Sequence, residues 1–259
     1  MAMDQVGLDR RLARLAEATA LLVATDYDGT LSPIVPDPTA AIPVPGALET
    51  LAELSRLPAT EVAIVSGRSL EDLRRFVPAP GGVRLVGSHG AEFGNEVPLP
   101  VETMRLAREV DEELRRIAGG VPGAWVEVKP ASAAFHYRNA IPRQAAAALA
   151  EVLAGPATRE GVHVKLGKMV VELAVIDADK GEAIERLRRI LRPSAVLFAG
   201  DDVTDEDAFA VLGSPDLGIK VGEGGTRATF AVPDPPSLVR ILGRLAARRA
   251  GRGRPTSGR

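Results

Sequence analysis

Apolar residues along this chain fall into two alternating patterns. Leu21-Leu22-Val23-Ala24, Val62-Ala63-Ile64-Val65, Val83 to Val86 and Ala195 to Ala199 form short, nearly unbroken apolar runs. Runs of this length predict strands buried on both faces. Between them, apolar positions recur at helical spacing: Leu8, Leu12, Leu15 and Ala16; Leu48, Leu51, Ala52 and Leu54; Leu70 to Val77; and Ala183, Ile184, Leu187, Ile190 and Leu191. Leu217 to Val221 and Ala228 to Val232 add strands, and a helix is expected from Pro236 to Arg249. Strand and helix in alternation predict an α/β fold around a Rossmann-like parallel sheet.

The middle of the chain breaks this rhythm. A charged helix from Val101 to Ile117 leads to Trp125-Val126-Glu127-Val128-Lys129, which alternates with period two. Such a strand is half exposed. Ala133, Phe135 and Tyr137 then alternate with Ala134, His136 and Arg138; a helix follows from about Gln144 to Leu153, and Val162 to Leu166 and Met169 to Val175 give two more strands. The order αββαββ can pack both helices on one sheet face. The opposite face then carries Glu127, Lys129, His136, Arg138, Lys168 and Glu172. An ordinary solvated face and a face that hydrogen-bonds sugar hydroxyls both fit that composition. This predicts residues 101–177 as an α+β domain inserted into a core made of residues 1–100 and 178–250. Residues 251–259, composed of Gly, Arg, Pro, Thr and Ser, are expected to form a disordered basic tail.

Composition narrows the chemistry. The chain has 259 residues, a formal net charge of −2 and no cysteine. Disulfides, zinc–thiolate sites and cysteine nucleophiles are excluded, and no global field favours nucleic acid. No apolar run is long enough to span a bilayer, and the charged N-terminal pattern is not that of a signal peptide. The expectation is a cytoplasmic monomer.

The candidate chemistry sits where apolar runs end. The first strand runs into Asp26-Tyr27-Asp28-Gly29-Thr30. In open α/β sheets, ligands bind at the carboxyl ends of strands. Two acids packed there repel each other and are penalised by desolvation, so a cation must compensate. Magnesium is a hard ion that takes oxygen ligands and is shared with phosphate. With the ion in place, Asp26 can stay ionised as a nucleophile while Asp28 holds or releases a proton. A calcium loop is ruled out, because it needs Gly at its sixth position and Glu at its twelfth. The second strand ends in Ser66-Gly67-Arg68. Ser69 and Asp72 form a capping box for the next helix, which leaves the Ser66 hydroxyl for a phosphate oxygen. His89 suits either a structural bond to neighbouring backbone or a role beside a substrate. Lys180 occupies the first turn of a helix, where the dipole disfavours a cation; either it reaches solvent or it meets a phosphate and Asp26. The strand Ala195 to Gly200 runs into a second acidic cluster, Asp201-Asp202-Val203-Thr204-Asp205-Glu206. Thr204 and Asp207 suit the cap of the following helix. Asp201 and Asp202 are then left for the metal.

These motifs, in this order, resemble those of the haloacid-dehalogenase-like phosphatases, and the inserted segment resembles a C2B-type cap. Within that group the chain is similar to the trehalose-6-phosphate phosphatases, through Asp28-Gly29-Thr30-Leu31-Ser32-Pro33-Ile34, Ser66-Gly67-Arg68, Gly87-Ser88-His89-Gly90-Ala91-Glu92 and Gly200-Asp201-Asp202 with Thr204-Asp205-Glu206. The resemblance implies a Mg2+ ion held by Asp26, the backbone carbonyl of Asp28, and Asp201. It implies in-line attack by Asp26, proton transfer by Asp28, and phosphoryl binding by Thr30, Ser66 and Lys180. Asp202 and Asp205 would order metal-bound water. Ser66, Gly67, Arg68 and His89, with Glu127, Lys129, His136, Arg138, Lys168 and Glu172 of the cap, would contact a small sugar phosphate. Another sugar phosphate, such as glucosylglycerol phosphate or sucrose 6-phosphate, is the nearest alternative substrate. A non-catalytic binding module is the alternative of a different class. A kinase P-loop at Gly161 to Lys168 is disfavoured, since the glycine spacing is one too long and Met169 replaces Ser or Thr.

Overall fold

Every residue of β1 (Leu21–Thr25) is buried, so this strand must be covered on both faces. In the computed structural model, which describes residues 5–35, 37–77, 81–93, 101–129, 131–167 and 169–251, it is. Ahead of it lies α1 (Gln5–Glu17), and α2 (Ala47–Ser55), β2 (Thr60–Val65), α3 (Leu70–Phe76), β3 (Val83–Gly87) and the short β4 (Glu92–Phe93) follow. After the inserted segment come α6 (Lys180–Leu191), β9 (Ala195–Gly200), α7 (Asp205–Ala210), β10 (Leu217–Val221), β11 (Phe230–Val232) and α8 (Pro235–Gly251). The insertion itself contains α4 (Val101–Gly119), β5 (Trp125–Lys129), β6 (Ser132–His136), α5 (Pro142–Ala154), β7 (His163–Gly167) and β8 (Val170–Ala174). Contacts divide the chain into Met1–Gly94 with Asp179–Arg259 and, separately, Asn95–Ala178.

The first unit is a seven-stranded sheet in the order β11-β10-β9-β1-β2-β3-β4. All its pairings are parallel except β3 with β4. Alternate residues of β1 serve two layers. Leu21 and Val23 pack with Leu8, Leu12 and Leu15 of α1, Leu51 and Leu54 of α2, and Leu238 and Leu242 of α8. Leu22 and Ala24 pack with Ala183, Ile184 and Leu187 of α6 and Phe209 of α7. Strand order reverses at β1, which pairs with β2 on one side and β9 on the other. The crevice at such a switch point is where α/β sheets bind ligands.

Two local expectations need correction. Ile190 was expected in the buried stripe of α6 but is 48% exposed, because the side of the helix packed on the sheet carries Ala183, Ile184, Leu187 and Leu191. Thr204 occupies the N-cap of α7 yet makes no side-chain cap bond. Ser69 does cap α3, accepting from the Asp72 N–H at 3.1 Å. The capping box therefore leaves Ser66 out, as the sequence implied.

The second unit is an antiparallel sheet in the order β5-β6-β8-β7. Its register puts Trp125 opposite His136, Glu127 opposite Ala134, and Lys129 opposite Ser132; across the next pair, Ala134 faces Glu172. Side chains directly opposite one another share a face. Trp125, Glu127, Lys129, His136 and Glu172 therefore lie on one face. Val126, Phe135, Val171 and Leu173 lie on the other. Arg138 falls in the turn beyond β6, where it is exposed, and Lys168 lies outside the described residues, as do residues 252–259. No helix among the described residues is long and apolar enough to cross a membrane.

Candidate active site

The site is built at the carboxyl ends of β1 and β9. Pairing continues one residue past β1, where the Asp26 N–H donates to the Ala199 carbonyl at 2.8 Å. That bond fixes the Asp26 backbone, and the residue is 5% exposed. Gly29 turns the chain back with φ 71, a left-handed conformation that suits glycine, and a Cβ there would lie 2.0 Å from Asp201 Oδ2. The missing side chain lets the β1 loop close on the β9 loop. Thr30, fully buried, then donates its hydroxyl to Asp201 Oδ1 at 3.1 Å.

Lys180 settles its own ambiguity. It is 2% exposed, and its Nζ lies 3.0 Å from Asp26 Oδ2 and 2.7 Å from Asp205 Oδ1. A buried cation at a helix N-terminus is unfavourable until carboxylates surround it, and here two do. Asp205 is wholly buried, and its other oxygen accepts the N–H groups of Asp201 and Asp202, each at 2.9 Å. Those two bonds hold the β9 loop on α7. Asp202 points its exposure to solvent.

Carboxylate oxygens of Asp26, Asp201 and Asp205 lie within 4.8 Å of one another. Asp205 already serves Lys180 and two backbone donors, so Asp26 and Asp201 are the pair left to face a cation. Their electrostatics agree. Burial, with repulsion from Asp205 added and attraction to Lys180 opposing, raises Asp26 from 3.8 to about 7. Burial and Asp205 likewise raise Asp201 to about 6, against the Thr30 hydrogen bond and Lys180. The pocket is short of positive charge by itself. An all-oxygen donor set with that deficit fits a hard dication such as Mg2+.

Asp28 is held differently. Arg68 forks its carboxylate, Nε to Oδ2 and Nη2 to Oδ1, both at 2.6 Å. The guanidinium lies over the rings of Phe76 at 4.6 Å and Tyr27 at 5.4 Å. Ser66 is 1% exposed at the end of β2, and its Oγ accepts the Arg68 N–H at 3.2 Å. His89 donates its backbone N–H to the Ser66 carbonyl at 2.9 Å, and its ring covers Gly67, where a Cβ would sit 2.6 Å from it. Ser66-Gly67-Arg68 and the Ser88-His89-Gly90 turn are thereby fastened together. Glu92 adds to this by accepting from the Ser88 hydroxyl and, at 3.3 Å, from the Leu70 N–H.

Lys220 was missed by the sequence reading. It is 6% exposed and donates to the Asp201 carbonyl. One charge in the otherwise apolar Leu217–Val221, beside the strand that delivers Asp201, was the available signal. In the second unit, Glu127 and His136 lie 3.0 Å apart, and Glu172 accepts from Ser132 at 2.6 Å and from Lys129 at 3.3 Å. Glu127, Lys129, His136 and Glu172 thus share one face, bonded in two groups.

The fold is that of the haloacid-dehalogenase-like hydrolases. A solved haloacid dehalogenase-like hydrolase from Bacteroides thetaiotaomicron matches with a TM-score of 0.61 at 15% identity, over 88% of this chain and 100% of that one. The family model described as trehalose-phosphatase matches residues 24–234, and the chain belongs to that family. A trehalose-phosphate phosphatase from Mycobacterium marinum is 34% identical over 268 residues, covering 92% of this chain and 68% of that protein. A bifunctional trehalose-6-phosphate synthase/phosphatase from Thermoproteus tenax is 36% identical over 254 residues. That match covers 94% of this chain but only 34% of the relative. The structure of the C-terminal domain of C. albicans trehalose-6-phosphate phosphatase matches with a TM-score of 0.72 at 29% identity, over 95% of this chain and 99% of that one.

Proposed function

We propose that this protein is a Mg2+-dependent phosphatase that hydrolyses trehalose 6-phosphate to trehalose and phosphate through a phosphoryl group carried on Asp26. One observation carries the chemistry: in a chain of this family, Asp26 and Asp201 converge at the switch point of the sheet, both held short of positive charge. The Asp26 and Asp201 carboxylates and the Asp28 carbonyl would hold a dication, which when bound would supply the missing charge and polarise the phosphoryl group.

Asp26 attacks phosphorus in line, its oxygen–phosphorus bond forming as the bond to the sugar oxygen breaks. Lys180, Thr30 and Ser66 bind the equatorial phosphoryl oxygens, where transition-state charge accumulates. Asp28 protonates the departing sugar oxygen, then takes a proton from the water that hydrolyses the aspartyl-phosphate. To donate, Asp28 must free an oxygen from the Arg68 fork, so Arg68 holds the proton-transfer group at rest.

The second unit is read as the C2B-type cap, with Glu127, Lys129, His136 and Glu172 hydrogen-bonding sugar hydroxyls. Glu172→Ala is expected to raise KM for trehalose 6-phosphate about tenfold or more, as the loss of a charged hydrogen bond does. A small aryl phosphate, which has no sugar to read, should be cleaved as before. Equal losses on both substrates would remove this face from substrate recognition.

The reading as a whole is tested by phosphate release from trehalose 6-phosphate, glucose 6-phosphate and sucrose 6-phosphate, with Mg2+ and with EDTA. Trehalose 6-phosphate should lead the series, and EDTA should abolish activity until Mg2+ is restored. No release from any sugar phosphate would return the chain to the class of binding modules.

A further inference from the structure

The chain contains one tryptophan, and the fold leaves half of it uncovered: Trp125, in β5, is 50% exposed. The indole is nevertheless held in place. It stacks on His136, across the strand pair, with ring centroids 4.0 Å apart and planes 4° from parallel. His136 is in turn fixed by Glu127, 3.0 Å from its Nε2. A rigid aromatic surface beside hydrogen-bonding groups is the usual lining of a small-molecule site. A pyranose suits it well, since the ring presents C–H groups on its faces and hydroxyls at its rim.

Register gives the scale. On this face the row Trp125–His136 is followed by the row Glu127–Ala134–Glu172, and then by Lys129–Ser132. Successive rows on one face stand about 7 Å apart, two residues along a strand. Ala134, in the middle row, is 3% exposed and flanked by the two glutamates. A sugar hydroxyl bonded to Glu127 would stand one row, about 7 Å, from Trp125 on the same strand.

We propose that Trp125 is a specificity-determining residue that stacks on the second ring of a two-ring sugar phosphate, so that the protein distinguishes a disaccharide phosphate from a hexose phosphate. This rests on the sugar-phosphate reading given above. Stacking on the free side of the indole needs no movement of the chain, because the His136–Glu127 pair already fixes the ring.

Two measurements test it. The first is kinetic. Trp125→Ala should raise KM for trehalose 6-phosphate about tenfold, with kcat, glucose 6-phosphate cleavage and aryl phosphate cleavage unchanged; Trp125→Phe should recover most of the loss, an aromatic stack being worth roughly that factor. An unchanged preference for trehalose 6-phosphate over glucose 6-phosphate in Trp125→Ala overturns the proposal. The second is optical and needs neither turnover nor a variant. Trp125 is the only indole, so emission from the wild-type chain titrated with trehalose reports this residue alone. A saturable change that glucose does not produce supports the stack, and a flat titration with both sugars overturns it. If no sugar phosphate is hydrolysed, the function proposed above fails and the titration still decides the fate of Trp125. If Trp125→Ala does not fold, Trp125→Phe and the titration decide.

Discussion

Asp26→Asn should reduce Mg2+-dependent phosphate release by on the order of 10³-fold or more, because an amide does not supply the attacking oxygen. The same substitution should make the metal-free protein more stable at neutral pH. Asp26 rises from 3.8 to about 7 on folding, chiefly through burial. Between those values the folded state binds more protons at this site than the unfolded chain does, so stability falls as pH rises through the window. The loss is complete above about pH 7 and absent below about pH 4. Asp201, raised to about 6, adds to the same trend. Thermal melts in EDTA should therefore place Asp26→Asn above wild type near neutrality, with the gap closing toward pH 4. Mg2+ should stabilise wild type more than the variant. Full activity in the variant would remove Asp26 as nucleophile, and a stability gap that widened toward acid would contradict the charge deficit.

The second large effect lies at the opposite end of the sheet. Arg249, at the end of α8, is 5% exposed. Its Nη1 donates to the carbonyls of Leu15, Ala16 and Ala18, its Nη2 to those of Pro58 and Ala59, and its Nε to the Thr60 hydroxyl. Helix ends leave carbonyls without intrahelical partners, and one planar guanidinium has the donors to serve several at once. Arg249→Ala removes those donors from buried and part-buried acceptors at the end of α1 and the start of β2. It should cost about 3–5 kcal/mol, read as a lower urea midpoint and Tm. Arg249→Lys should recover only part, since an ammonium has fewer donors and no fork. Arg248→Ala is the control. Arg248 pairs with Asp9 at the surface, 37% exposed, and its loss should be small. If both variants unfolded alike, the buried fork would not be what fastens α8 to α1 and β2.

Arg248 and Arg249 show where the chain stops being readable. They are adjacent, chemically identical and set in an arginine-rich helix end, yet one lies at the surface and the other is the staple between three elements. The difference of one residue is about 100° around the helix, and only the docking of α8 says which side faces inward. Lys180 poses the same problem in the site. Its position in a first turn fitted both solvent and a carboxylate, and the choice depended on whether β1 and β9 would be neighbours. Thr204 failed as a cap because its backbone is already helical, φ −66° and ψ −17°, whereas a capping residue is extended. Lys220 acts on Asp201 from a strand that lies beside it only in the folded sheet.

The sequence by itself determined the parts whose cause is local. Unbroken apolar runs had to become strands covered twice, helical spacing had to become covering layers, and acids placed at the ends of such runs had to lie at the carboxyl edge of the sheet. Alternation in the inserted segment likewise placed Glu127, Lys129, His136 and Glu172 on one face, but not Arg138, which lies in the turn beyond β6. Tertiary structure alone decided the partners: the order of strands that brings Asp201 onto Asp26, the fork that holds Asp28, the burial of Lys180 and Arg249, and the register that lays Trp125 on His136. Hydrophobic periodicity specifies which way a side chain faces, and a charge or ring acquires its partner only when a distant segment, placed by packing, arrives within a few ångströms of it.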